Sequence, residues 1–372
     1  MVALPMMVGI MLHAGTTGGV SSVHTKSGTA PMISAESRRF QAALHANELD
    51  QLLYPPGTEN LKTRLHMIKS HPIYNFLHTY YRYSAKNLKF YSPGLDVLME
   101  LDEHDHQKQG SSSSSSSASS SRSMFNSNNN KQKKEEEHDL NMKHIRISEN
   151  GCEYVLPPAD DPNGPYGWVT LSRTRDILHL TSSRVPSYGC FGYHEWAMLY
   201  SGRNVGVNEP LPAHQKEVPL RVSQDTIDEV VETLGLRCTH FDAFRFFHKA
   251  AQPLNAINPL TRASQADHEQ PGCVHASMDL FKYAYQLYPF CSAALLRDCV
   301  KVALTAREMD MRASPYDTTN VPYCGAPICV ETADGRREYM EAQERLTAMA
   351  GPVREQLIEA YDTVLSKLAA PV

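Results

Sequence analysis

Residues 278–313 read MDLFKYAYQLYPFCSAALLRDCVKVALTAREMDMRA, and this stretch decides the fold. Apolar side chains recur at helical spacing on both sides of Pro289, so it predicts two consecutive helices with the proline ending the first. The pattern continues outward. SRTRDILHLTSS (172–183) is an amphipathic candidate, and SQDTIDEVVETLG (223–235) predicts a helix N-capped by Asp225, with Asp228 three residues on and Gly235 as the stop. EAQERLTAMAGPVREQLIEAYDTVLSKL (341–368) predicts helix broken near Gly351-Pro352.

Toward the N-terminus, LKTRLHMIKSHPIYNFLHTYYRYSAKNLKFYSPG (61–94) suggests helix, a break at Pro72, helix again, and a stop at Pro93-Gly94. IRI (145–147) and EYVL (153–156) form a short strand pair. The expected fold is mainly α: a single α-helical domain with a small β element and a disordered Ser/Asn-rich insertion. Residues 1–35 read as a disordered or targeting extension, 36–103 as the N-terminal helical part, and 140–372 as the main helical domain. Residues 104–139 are too polar to bury the apolar area that ordering requires.

Composition narrows function. With 372 residues and 41% hydrophobic content, the chain can build a sizeable core without staples. The eight cysteines include no C-x-x-C pair, so free thiols in a reducing compartment are expected. No apolar run approaches about 18 residues, so no membrane span is expected, and the location reads as intracellular, cytoplasmic or nuclear. Organelle targeting by residues 1–35 stays open. Residues 151–372 carry 20 Lys+Arg against 27 Asp+Glu, which offers duplex nucleic acid no general basic surface. Residues 60–100 carry six Lys+Arg against two Asp+Glu, and Tyr80, Tyr81, Arg82, Tyr83, Lys86 and Lys89 interleave rings with charge there. Such tyrosines are also ordinary core-edge residues.

Chemistry-bearing residues gather in four segments: GCFGYHEWAMLY (189–200), CTHFDAFRFF (238–247), EQPGCVHASMDL (269–280) and REMDMRASPYD (307–317). In the second, Thr239 and Asp242 fit a capping signature before an apolar run, with Phe241, Phe244 and Phe247 on a packed face. The same Asp242, at a helix start, could serve as a base, with His240 beside it. Glu195 lies among aromatics, where burial would make it a usable acid or base. His275 and Asp279 are four apart on one helix face. With His194 or His240, and with Glu195 or Asp242, His275 and Asp279 could form a mixed His/carboxylate site for iron, manganese or zinc, His240 and His275 being its candidate imidazoles. P-loop, lipase-elbow and dinucleotide fingerprints are absent, and nothing assigns Cys273 a base.

Together with HPIYNFLHTYYRYSAKNLKFYSPG, PLRVS and the PLN…TR…Q run, these segments resemble a largely bacterial family commonly labelled "3-methyladenine DNA glycosylase". The likeness covers roughly residues 60–101 and 150–350; the N-terminal extension and the insertion depart from it. It implies hydrolysis of the N-glycosidic bond of an alkylated purine, from damaged DNA or a smaller nucleoside, with no cofactor. On that resemblance Tyr193, Trp196 and Phe244 stack on the base, and Asp242 or Glu195 is the catalytic carboxylate beside His240. Arg245, Arg312 or the stretch 80–89 holds phosphate, and His194, Arg262, Gln270, Asp279 and Tyr316 add substrate contacts. The residues alone leave two alternatives: a metal-dependent enzyme acting on a small metabolite, and a non-enzymatic interaction protein.

Overall fold

A computed structural model describes residues 31–54, 68, 71–101 apart from Arg82 and Ser84, 139–158, 168–201 and 218–369. Expectations for residues 1–30, Arg82 and most of the insertion lie outside the described residues.

Helix α1 spans Ala35–Leu53 and α2 Ala85–Leu88, with a π-helical turn at Phe76–Tyr80 between them. Next come α3 (Trp168–Ser183), α4 (Tyr193–Met198), α5 (Gln224–Thr233) and α6 (Phe241–Phe244). The chain then forms α7 (Gln265–His268), α8 (Val274–Leu287), α9 (Ala293–Ala313) and α10 (Ala333–Ala369). The expected mainly α fold is therefore what the chain adopts.

Helix α8 is the centre of the core. Every residue from Val274 to Phe281 is buried, because α9 covers one side and α10 another. Helix α9 contributes Leu296, Cys299, Val300, Val302, Ala303 and Ala306, all fully buried. Each large apolar side chain so enclosed stabilises the fold by about 1.5–3 kcal/mol relative to exposure. Helix α3 packs on α10, and α1 on α9.

Two helix ends differ from the sequence reading. Ser223, not Asp225, caps α5: its hydroxyl accepts from Thr226 N at 3.2 Å, which leaves Asp225 in the first turn. Gly235 does stop that helix, in the left-handed conformation at φ +77°. Helix α10 runs unbroken through Pro352. The proline removes one amide, but Leu346, Ala350, Val353, Leu357 and Tyr361 bury a continuous face on both sides of it, and that packing holds the helix together.

A small four-stranded sheet sits beside α1. Its strands are β1 (Met32–Ile33), β2 (Leu98–Met99), β3 (Ile145–Ser148) and β4 (Gly151–Tyr154), in the order β1-β2-β4-β3. The β3–β4 hairpin is the expected strand pair. Strand β1 falls inside the stretch read as an extension and pairs in parallel with β2.

His45 docks α1 on α9. Its Nε2–H donates to Leu88 O at 2.7 Å, and its Nδ1 accepts from Arg297 Nη1 at 2.9 Å, so the buried ring is neutral. Burial first, with Arg297 adding, pushes its pKa down to about 4 against the opposing pull of the Leu88 carbonyl. A histidine with a depressed folded pKa stabilises above its unfolded value and loses that contribution as pH falls through the folded one. Denaturant melts should therefore lose about 3 kcal/mol between pH 6.5 and 4 from this group. In His45→Gln that pH slope should flatten.

Candidate metal centre and adjoining pocket

Helix α4 has only six residues and all six are buried. Its entry needs Gly192 at φ +72°, where a Cβ would lie 3.2 Å from the Ala313 Cβ and 3.4 Å from the Tyr339 hydroxyl. Tyr193 donates to Val330 O at 3.1 Å and Trp196 Nε1 donates to Ala313 O at 2.9 Å, which fixes the rotation of α4 against α9. His194 and Glu195 are thereby turned toward the polar side of α9.

Arg307 of α9 receives both acids. Its Nη1 donates to Glu195 Oε1 at 2.9 Å and to Asp310 Oδ2 at 2.7 Å; its Nε reaches Pro72 O at 3.2 Å. The guanidinium carbon lies 4.8 Å over the Phe76 ring. The other Asp310 oxygen, Oδ1, lies 2.7 Å from His194 Nε2. These two atoms are close but not in hydrogen-bond geometry, and both are buried without a hydrogen-bond partner. Burial opposes a charge on His194, yet Asp310 outweighs it and lifts the imidazole up to about 10.

His275 of α8 completes the group. Its ring meets His194 edge-on at 4.4 Å, and burial together with that neighbour holds it well below the ordinary histidine range. His194, His275 and Asp310 each offer one ligand atom, all within 4.8 Å of one another. Two imidazoles and one carboxylate form a donor set suited to zinc or ferrous iron rather than to calcium or magnesium, which take oxygen ligands. Gly272 helps to place His275: a Cβ there would lie 2.7 Å from Ser187 O.

A second charged group lies on the far side of His275. His240 stacks on it at 5.3 Å and has Glu269 Oε1 at 3.2 Å and Asp279 Oδ2 at 3.4 Å from its Nε2. Lys282 bridges Asp279 at 2.9 Å and Asp242 at 3.1 Å, and Tyr81 donates to Asp279 at 3.1 Å. Arg245 and Arg262 each reach Asp242 at 3.0 Å. Burial disfavours the Asp242 anion, but Lys282 more than compensates and holds its pKa below the usual range.

Between these groups opens a pocket of about 590 Å³, within the range of small-molecule sites. Glu195, Asp242, Arg245, His275 and Arg307 form its polar lining; Phe76, Tyr80, Met198 and Phe246 form its apolar wall.

The sequence candidates fall into three groups. Glu195, Asp242, Arg245 and His275 meet at the pocket; His194, His240 and Asp279 lie behind it. Arg262 binds Asp242 from the surface. The remainder are elsewhere. Tyr193, Trp196 and Phe244 are core residues, so they offer no face for a base to stack on. Arg312 turns to Ala326 O and Glu338, Tyr316 is buried at a backbone bridge with Leu220, and Gln270 clamps Ser187 and Gly272. The capping reading of Asp242 is corrected too: α6 has four residues, His240 is at the cap position, and Asp242 is an ion-pair partner. The metal reading through His240 shifts to His194, His275 and Asp310, because His240 is held against Glu269 and Asp279. Burial pushes the Cys273 thiol up to about 12, which removes it as a nucleophile. All eight cysteines are free.

Arg307, Phe76, Phe246 and Lys282 were not singled out from the sequence. Arg307 was within reach, since it precedes Asp310 by one helical turn in REMDMR.

No family model, curated protein or solved structure matches this chain.

Lys282 shows how far the acids depend on one cation. Lys282→Met should destabilise the protein by about 3–5 kcal/mol in denaturant unfolding, because it takes the shared cation from two buried carboxylates, Asp279 and Asp242. Adding Asp279→Asn should recover part of that loss.

Proposed function

We propose that the protein is a metal-dependent hydrolase acting on a small molecule held in the 590 Å³ pocket. The observation that carries this reading is the convergence of His194 Nε2 and Asp310 Oδ1, buried, 2.7 Å apart and outside hydrogen-bond geometry, beside His275. Ligand atoms that crowd without bonding to each other are arranged as around a shared cation.

A divalent ion there lowers the pKa of a water or polarises a substrate oxygen. The chain's own residues do the rest. Arg307 occupies Asp310 Oδ2, which leaves Oδ1 as the ligand atom, and holds Glu195 at the pocket wall. Glu195 follows a ligand histidine directly and is positioned to take a proton from a water in the pocket, the role of the glutamate beside a ligand histidine in other hydrolytic metal sites. His275, neutral, contributes a lone pair from the pocket lining.

Elemental analysis tests this directly. One equivalent of zinc, iron or manganese should accompany the protein, be removed by chelator and return on reconstitution. His275→Ala should lose the ion while keeping the fold, and His240→Ala should keep it. A protein that neither carries nor takes up an ion refutes the reading.

A second reading takes its substrate from the family resemblance: N-glycosidic hydrolysis of an alkylated purine. The aromatic wall of Phe76, Tyr80 and Phe246 beside two carboxylates supports it. Alkylated DNA or nucleoside should then release 3-methyladenine, and no release at high enzyme concentration counts against it.

A further inference from the structure

We infer that the substrate is a small organic acid: an apolar or aromatic body ending in an oxyanion, carboxylate or phosphate, that Arg245 anchors at the pocket. The inference rests on the metal reading for the charge beside the triad and on Arg245 for the anchor.

Charge points the same way in both clusters. Glu195 and Asp310 face one guanidinium, Arg307, so these three side chains sum to one net negative charge, which a proton on His194 offsets while no ion is bound. A divalent ion turns it to one net positive charge. On the other side, Asp242 and Asp279 face three cations: Lys282, Arg245 and Arg262. His240 and Glu269 exchange charge within their own pair. An ion-loaded pocket is thus positive from two sides, and an anionic ligand neutralises it.

Arg245 is built to present a guanidinium. It lines the pocket, its side chain is 43% exposed, and its carbon stacks 4.2 Å over the Phe246 ring. Its Nε is spent on Asp242, and a further bond goes to the Tyr80 hydroxyl. A guanidinium has five N–H donors, so others remain for the paired oxygens of a carboxylate or phosphate. Beside it, Tyr80 and Phe76 stack at 5.0 Å with 12° between their planes, and Phe246 adds a third ring to the wall. The pocket therefore offers a cation next to an apolar surface, which suits an acid with a ring or chain rather than a bare ion.

The test titrates zinc-reconstituted protein with benzoate, phenyl phosphate, inorganic phosphate and uncharged benzyl alcohol by calorimetry, with metal content measured on the same samples. Benzoate or phenyl phosphate should bind, benzyl alcohol and inorganic phosphate much more weakly, and the better of the two acids identifies the oxyanion. Arg245→Gln should weaken the favoured acid about tenfold or more, the worth of a charged hydrogen-bond pair, without changing metal content or melting temperature. Arg262→Gln is a second variant at the same acid. Equal binding of benzyl alcohol and benzoate, or an unchanged affinity in Arg245→Gln with zinc in place, overturns the inference and leaves the metal reading standing. Arg245-dependent binding of the acid by protein that takes up no zinc supports the anchor and removes the metal reading.

Discussion

The Arg307 guanidinium is the contact on which the polar interior depends. It binds Glu195 and Asp310 with all three side chains at most 7% exposed, so removing it would take a buried cation from two buried carboxylates at once. A lysine could not take its place. The planar fork serves two acids through Nη1 while Nε reaches Pro72 O and the carbon face rests on Phe76. One cation between two carboxylates nonetheless leaves a negative charge. A proton on His194, whose pKa Asp310 lifts to about 10, meets it, and the proposed ion would meet it in the proton's place.

This arrangement constrains the apolar packing as much as it relies on it. Helix α4 is too short to be stable alone and exists because Trp196 and Tyr193 are sealed against α9 and the turn at Val330. The rotation that buries those rings is the one that turns His194 and Glu195 inward. Tyr193, Trp196, Phe244 and Phe247 therefore shape the site from behind, as core, and the rings on the pocket wall are Phe76, Tyr80 and Phe246. The tyrosine-rich stretch divides in the same way: Tyr80 lines the pocket, Tyr81 bonds Asp279, and Tyr83 packs in the core.

The helices were legible because their signals are local. Pro289, Gly235 and the helical spacing of 278–313 act through neighbours within a turn or two, and α3, α5, α8 and α9 follow from them. What failed were readings that tertiary packing overrides: Pro352 inside α10, and Asp242 as a cap. The site was legible as four segments but not as roles. Glu195, Asp242 and His275 meet at the pocket as their motifs suggested, whereas Arg312, on the same helix as the pocket-lining Arg307, points the other way. Nothing in the sequence states which face of α9 carries the chemistry. Arg307 and Asp310 share that face at a spacing of three, while Arg312 and Asp310 differ by two and cannot.

The three candidate ligand residues come from α4, α8 and α9, separated by 81 and 35 positions in the chain (194 to 275, 275 to 310). No two are neighbours in sequence, so the unfolded chain holds no preformed site and any affinity for an ion belongs to the folded state alone. Ion binding then adds to folding stability in proportion to the logarithm of free ion over dissociation constant. In ion-free protein a proton on His194 offsets the negative charge beside Arg307, and a bound ion would take that proton's place.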